Sequence, residues 1–312
     1  MSINTASIYP LLRPGVKAVI GNYDTYPDQW KKVFKTYASD KKIEFEDEFK
    51  SLGIAQVKNE GAAIAQDTMT VRYQTSYLHT TYGLSFSITD EAMKDNLYKS
   101  QFPQHLIALR NSLRAAKSQV AANVFNLGNV TLTSDGVPFF SNVHPLDNGG
   151  TNSNLSNVAL SEVGIQNAII AIQQFKQLSG ILTQTMPQTL VVGPANQFAA
   201  SVILNSQYRT SVNSNPMAGG AITGTVYAGV NDINAIYNDS YLPGGYTVNN
   251  YITSPTFSAI VTDAERGLIH YERDKLEAWS WVDNATRDMW FAAKERYSFG
   301  VTNWRCAYAI SM

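Results

Sequence analysis

A chain of 312 residues with 44% hydrophobic composition holds enough apolar side chains for one large or two smaller cores, so it reads as globular. Its 24 Lys and Arg against 25 Asp and Glu leave a formal net charge of -1, which provides no global basic field and argues against a DNA-reading role. The single cysteine, Cys306, excludes an intrachain disulfide framework and a cysteine-based zinc site of the usual kind, and fits synthesis in a reducing compartment.

Residues 1–26 carry Pro10, Pro14, Gly15 and Gly21 without a sustained period and are expected to form an extended arm; they lack a signal-peptide core and any long apolar span. A short helix is predicted from about Pro27 to Tyr37, with Trp30, Val33, Phe34 and Tyr37 on one face and Lys31, Lys32 and Lys35 on the other. Charge then segregates: Lys41 and Lys42 precede Glu44, Glu46, Asp47 and Glu48, which suits a solvated linker or an electrostatic contact between subunits.

Two strands are predicted where Met69, Val71 and Tyr73 alternate with polar residues, and where Leu84, Phe86 and Ile88 do the same. Between Leu52 and Met69, VKNEGAAIAQD reads as the tip of a projecting hairpin turning at Gly61. So few large side chains cannot build a core. The tip residues Asn59, Glu60, Gly61, Ala62, Ala63 and Ile64 are therefore candidates for contact with another subunit, or for lying against the helix that follows.

Thr89, Asp90 and Glu91 open a helix expected to reach about Gln101, and Pro103 separates it from the longest helical pattern in the chain. There Leu106, Leu109, Leu113, Ala116, Val120 and Leu127 recur at three- and four-residue steps, Lys117 falls on the polar remainder, and Gly128 follows as a stop. About 25 residues at ~1.5 Å each make a rod of nearly 40 Å.

Beyond the rod, Val130 to Phe140 reads as strand, turn and strand about Asp135-Gly136, and Pro145 to Asn157 as a Gly/Asn/Ser loop suited to a domain boundary. Ser161 opens a helix through Leu178; a strand Thr189 to Val192 and a helix from Pro194 to Leu204 follow. Asn213 to Gly229 reads as a loop, with strands over Asp232 to Asn238 and Tyr246 to Ile252. The last third is strand-rich, over Gly267 to Tyr271, Lys275 to Val282, Met289 to Tyr297 and Val301 to Ile310.

Chemistry-bearing motifs are scarce. His79, His105, His144 and His270 form no metal-pair spacing, GGAITGT at Gly219 lacks the lysine of a phosphate loop, and no nucleophile elbow occurs. His144 before Pro145 reads as a turn residue, His270 as sharing a strand face with Glu272, and Cys306 as a buried structural thiol. No catalytic, cofactor-binding or metal site is assigned.

The order EGAAIAQDTM, YLHTTYGLSFSITDEAMKDNLY, long helix, DGVPFFSNVHPLDNGGTNSNLSN (Asp135 to Asn157) and MPQTLVVGPANQFAASVILNS (Met186 to Ser206) resembles the Mu-like major head subunit family of tailed bacteriophages. Gly193 stands where that pattern prefers a proline. The resemblance spans roughly Trp30 to the C-terminus. It implies an α+β, HK97-type capsid fold: an N-terminal arm over residues 1–45, an extended β-hairpin loop over 46–88, a peripheral domain with a spine helix over 89–158 and 256–312, and an axial domain over 159–255. It also implies a major capsid protein that assembles through hexamers and pentamers around double-stranded DNA. Its partners would be a portal, a scaffold or maturation protease and decoration proteins, with the virion as its location after assembly in the host cytoplasm. The low charged fraction, 16%, agrees with a surface covered by neighbours. An encapsulin-like compartment shell, or a hydrolase with an unsigned site, are the competing expectations.

Overall fold

The computed structural model describes residues 28–61, 63–95, 102–147, 149–207 and 234–312. The arm expected over residues 1–26, the loop expected over 213–229, the GGAITGT segment and the stretch expected to carry a helix to Gln101 lie outside these.

A 3-10 turn, Gln29–Lys32, leads into β1 (Lys35–Ala38), β2 (Ile43–Lys50), β3 (Thr70–Leu78) and β4 (Thr80–Ile88), followed by helices α1 (Asp90–Lys94) and α2 (Phe102–Asn126). Then come β5 (His144–Pro145), β6 (Thr151–Asn152), α3 (Glu162–Gln173), β7 (Pro187–Val192), α4 (Gln197–Asn205), α5 (Ala235–Asn238) and β8 (Tyr246–Val248). Strands β9 (Ser258–Thr262), β10 (Leu268–Val282), β11 (Met289–Val301) and β12 (Ala307–Ser311) complete the order. Two compact units result: unit 1 from the described residues of Met1–Asp47, Gln74–Phe125 and Leu268–Thr302, unit 2 from those of Glu48–Tyr73, Asn126–Gly267 and Asn303–Met312.

Unit 1 is a four-stranded sheet in the order β1-β10-β11-β4 with α2 laid along one face. β10 and β11 form a long antiparallel hairpin, β4 adds antiparallel to β11, and β1 adds parallel to β10 from Lys35 opposite Ile269 to Ala38 opposite Glu272. Phe102 and Leu106 of α2 pack with Met93, Met289, Phe291, Phe86 and Ile88, and Leu109 and Leu113 with Ala293, Leu276 and Ala278. This follows from the helical stripe meeting the period-2 faces of three strands. Past Leu113 the buried stripe runs through Lys117, Ala121 and Phe125, not through the expected Ala116, Val120 and Leu127, and Leu127 is half exposed. The expectation followed apolar identity. Geometry follows steps of four, and Lys117 is buried because carboxylates meet its ammonium: Glu295 Oε2 at 3.2 Å and Glu272 Oε1 at 3.8 Å.

The helix expected from Pro27 to Tyr37 is one 3-10 turn and then a strand. Trp30 and Phe34 are buried as that face required, while pairing with β10 draws the chain straight from Lys35 and leaves Tyr37 exposed. The two expected strands at Lys275 to Val282 and Gly267 to Tyr271 are one strand, β10, with register shifts between Glu272 and Glu277.

Unit 2 is built on the sheet β12-β9-β7-β8, in which only β7 and β8 are parallel. β9 is buried throughout and β7 nearly so, as central strands covered on both faces require. Ser161 caps α3 by accepting from Gly164 N at 3.1 Å, and Ile165, Ala168, Ile169 and Ile172 form its buried face. Val130 to Phe140 is not a strand pair: a turn at Gly136, φ +80°, closes only an isolated bridge between Leu132 and Pro138. The segment read as a strand to Asn238 carries α5, whose first amides are taken by Asn234 Oδ1.

The Gly/Asn loop from Pro145 to Asn157 is fastened by one fully buried side chain, not a free boundary. Asn154 Nδ2 donates to Phe139 O at 2.7 Å, Trp304 O at 3.2 Å and Ala307 O at 3.3 Å, and its Oδ1 accepts from Ser141 N at 2.8 Å. This buried amide, its two N–H hydrogens shared among three carbonyls and its oxygen taking one backbone amide, joins segments 150 residues apart. Among the described residues no helix is long and apolar enough to cross a membrane.

Candidate assembly surfaces

β2 and β3 pair as a two-stranded ribbon, and residues 51–69 connect them without regular structure. The acidic run expected to be a linker or an electrostatic contact between subunits is therefore strand β2. Its carboxylates meet the chain's own donors. In unit 1, Glu44 accepts from Ser39 Oγ at 2.7 Å and Lys41 Nζ at 3.1 Å, and Glu46 accepts from the Tyr271 hydroxyl. In unit 2, Glu48 accepts from Arg305 Nη1 at 2.7 Å. The alternate residues Phe45 and Phe49 are exposed, as are Val71 and Leu78 of β3. Phe45 and Phe49 share their face of β2 with Asp47, whose Oδ1 accepts from Gln74 Nε2 at 2.8 Å, and the described residues leave both rings about half exposed, which suits cover by a neighbour.

The connecting loop extends the same pattern. Ile54, Val57 and Ile64 are 72%, 91% and 74% exposed. Gly61, at φ +77° with open space around its Cα, makes the turn; Asn59, Glu60, Ala63 and Ile64 are exposed, and Ala62 lies outside the described residues. Polar contacts hold the root of the loop within unit 2: Lys50 Nζ and Arg72 Nε reach Asp147 at 3.3 and 3.2 Å, and Gly53 N donates to Asp67 Oδ2 at 2.7 Å. Hydrogen bonds from Gly53 and Thr68 amides hold the Asp67 carboxyl below the usual carboxylate range.

A second exposed apolar surface lies on unit 1. Trp279, Trp281 and Trp290 stand on the outer face of the β10–β11 hairpin, with ring centroids 6.4 and 5.8 Å apart along the row. Lys294, paired with Glu277 at 3.3 Å, lies 5.3 Å from the Trp279 ring centre. The signal was in the sequence as W-S-W, read only as strand alternation.

His144 and His270 are held by contacts within the fold. His144 is fully buried, stacked on Trp304 at 4.1 Å, with Nδ1 2.7 Å from Asp135 Oδ2 and Nε2 3.2 Å from Asn154 Oδ1. Neither ring nitrogen faces a hydroxyl or thiol that it could activate. Burial pushes the Asp135 carboxyl up, but hydrogen bonds from His144 and Thr133 outweigh it and hold it below the usual range. His270 does not bond Glu272, as its shared strand face suggested; its Nδ1 meets Thr36 Oγ1 at 3.1 Å and its ring stacks on Phe299 at 4.4 Å. Glu272 faces Lys117. Cys306 is buried and unbridged, and a Cβ added at Gly267 would come within 2.1 Å of its own Cβ.

Burial above all, then the charges of Lys117 and Lys31, brings His270 down to about 3. A histidine depressed in the fold is neutral there and binds a proton on unfolding, so stability is lost as pH falls from about 6.5 to about 3. The slope for this one group is about 1.4 kcal/mol per pH unit. Denaturant titrations of unit 1 fluorescence at steps across that window should show it, and His270→Phe should flatten the acid limb. An unchanged limb in that variant would assign the acid lability elsewhere.

A mixed fold of a long helix on a sheet hairpin, a second α/β unit and a two-stranded ribbon defines the HK97-type class of shell proteins. The family described as phage capsid protein matches residues 72–310, most of the chain, and the chain belongs to it. It is a major capsid protein by that membership. The fold is similar to that of a virus-like particle from Pyrococcus furiosus, at 10% identity and TM-score 0.54, covering 95% of this chain and 98% of that one. It is likewise similar to the procapsid of bacteriophage JBD30, at 12% identity and TM-score 0.53 over 99% and 76% of the two chains. The Microbacterium phage Oxtober96 chain matches at 9% identity and TM-score 0.52 over 90% of each. No curated protein matches the sequence.

Proposed function

We propose that this capsid protein assembles through hexamers and pentamers into an icosahedral shell enclosing the double-stranded DNA of a tailed phage. The observation that carries the reading is the ribbon: Glu44, Glu46 and Glu48 turned onto the chain's own donors, Phe45 and Phe49 turned outward. Neighbouring copies supply the cover, with the tip residues Asn59, Glu60, Gly61, Ala62, Ala63 and Ile64 as contacts. Unit 1, with α2 as its spine, takes the peripheral role and the sheet of unit 2 the axial one, which moves β9 and β12 from the peripheral domain expected over 256–312 to the axial side. The virion is its location, after assembly in the host cytoplasm. Portal, scaffold or maturation protease and decoration proteins are its partners, and no residue carries catalysis. Shell closure needs only modest contacts repeated many times.

Purified chain should sediment as capsomers or large particles, and negative-stain micrographs should show closed shells. Particles that copurify with protein cargo and no nucleic acid would favour the compartment-shell reading, whose support is the likeness to a virus-like particle at the level of fold. Monomer at every concentration, with a scaffold present, would overturn both.

A further inference from the structure

His79 is the single residue between β3 and β4, where the chain passes from the ribbon into the four-stranded sheet. Its ring is buried and held on both sides: Nε2 lies 3.0 Å from Ser39 Oγ and Nδ1 3.0 Å from Ser298 Oγ. The tautomer follows from counting hydrogens. Ser39 Oγ donates its one hydrogen to Glu44 Oε1 at 2.7 Å and accepts from Lys41 N at 3.2 Å, so toward the imidazole it only accepts. Nε2 therefore carries the ring proton, and Nδ1 accepts from the Ser298 hydroxyl. One neutral ring thus joins the turn after β1, the first residues of β2 through Glu44, and β11 through Ser298.

The surroundings disfavour a second proton. The charged groups facing the ring are Glu44 from β2, Arg296 from β11, and Arg273 and Asp274 from β10. Arg296 Nε donates to His79 O at 3.3 Å, which places a guanidinium on the residue's own backbone. Burial first, then Arg296, holds the imidazole below the ordinary histidine value. His79 N donates to Lys42 O at 3.5 Å, and beside the ring Tyr77 packs with Ile269 and Tyr271, its hydroxyl 2.5 Å from Thr302 Oγ1.

We propose that His79 is an acid-sensitive latch, whose neutral ring fastens the base of the ribbon, Ile43–Asp47 and Gln74–Leu78, to the sheet and whose protonation releases it. The latch stands on these contacts alone and does not depend on the shell reading. The linkage sign is set by the released state, in which a solvated ring regains its ordinary affinity for protons. Opening is therefore favoured as pH falls below about 6.5, by up to a factor of ten per pH unit.

Amide hydrogen exchange, corrected for the intrinsic pH dependence of the chemistry, reads this directly. In the wild-type chain the amides of Glu44, Glu46, Tyr77 and Leu78 should lose protection by up to about fivefold between pH 6.5 and 5.5, from a level already below that of Phe291 and Ala293 on β11. His79→Gln, which cannot titrate, should make the ribbon base insensitive over the same interval. Equal pH dependence in that variant, or protection at Phe291 no higher than at the ribbon base, would overturn the latch in favour of global acid unfolding. Should His79→Gln fail to fold, Ser39→Ala decides, because it removes the Nε2 partner and keeps the ring. It should leave the ribbon base weakly protected already at pH 7.5, and wild-type protection there would refute the proposal.

Discussion

Lys117→Met should destabilise unit 1 by about 3–5 kcal/mol, and Lys117→Met combined with Glu295→Leu should recover most of that loss. The ammonium sits on the buried face of α2, 3.2 Å from Glu295 Oε2, with both side chains almost wholly out of water. Its charge also lies 4.9 Å from the Tyr297 ring centre and 5.5 Å from that of Trp30. Removing the lysine alone deprives a buried carboxylate of its cation, and the desolvation cost of that carboxylate is then no longer offset. Removing both charges deletes the desolvation cost together with the attraction, which is why the double variant should approach wild type. Burial first, and then the charge of Glu295, pushes the neighbouring Tyr297 phenol far up, so it adds no second negative charge beside the pair. Urea denaturation of wild type, Lys117→Met, Glu295→Leu and the double variant gives the cycle. A single-variant loss below about 1 kcal/mol, or a double variant no better than the single, would show that the pair does not hold the helix to the sheet.

Where the fold was legible in the sequence, the reason is periodicity, and where it was not, the reason is a partner far along the chain. The α2 stripe could be followed to Leu113 because apolar identity and helical step agree there; at Lys117 they part, and only Glu295, 178 residues away, explains the burial. The Ile43, Phe45, Asp47, Phe49 alternation of β2 was present in the sequence, but the intervening glutamates read as a charged linker. Their partners, Tyr271 and Arg305, come from the last fifth of the chain. Asn154 looked like one more loop residue, because nothing local announces contacts to Trp304 and Ala307. The tip at Gly61 was readable for the opposite reason. A segment with few large side chains and a turn-forming glycine needs no distant partner to define its shape.

Replacing Asn59 to Ala65 with a short Gly-Ser turn should leave the subunit folded and abolish or weaken the closed shell. Within the subunit the tip contributes little: Ile64 is 74% exposed, Gly61 has no atom within 4 Å of a built Cβ, and Ala63 is exposed. At ~25 cal/mol per Å² of apolar area buried, side chains left in water add almost nothing to the fold. The contacts that fix the root of the loop, Lys50 and Arg72 on Asp147 and Gly53 on Asp67, all lie outside the replaced segment. Stability of the isolated chain should therefore change by less than about 1 kcal/mol, within the usual range for surface substitutions that break no named contact. Assembly multiplies the same change. A loss of about 1 kcal/mol at each contact is close to a factor of five in each equilibrium, and it recurs in every copy around the lattice. Circular dichroism and thermal melting report the fold of the variant, and electron microscopy with sedimentation reports its shells. Normal yields of equally stable particles would remove the tip from the assembly contacts, and a variant that cannot fold would place it in the core instead.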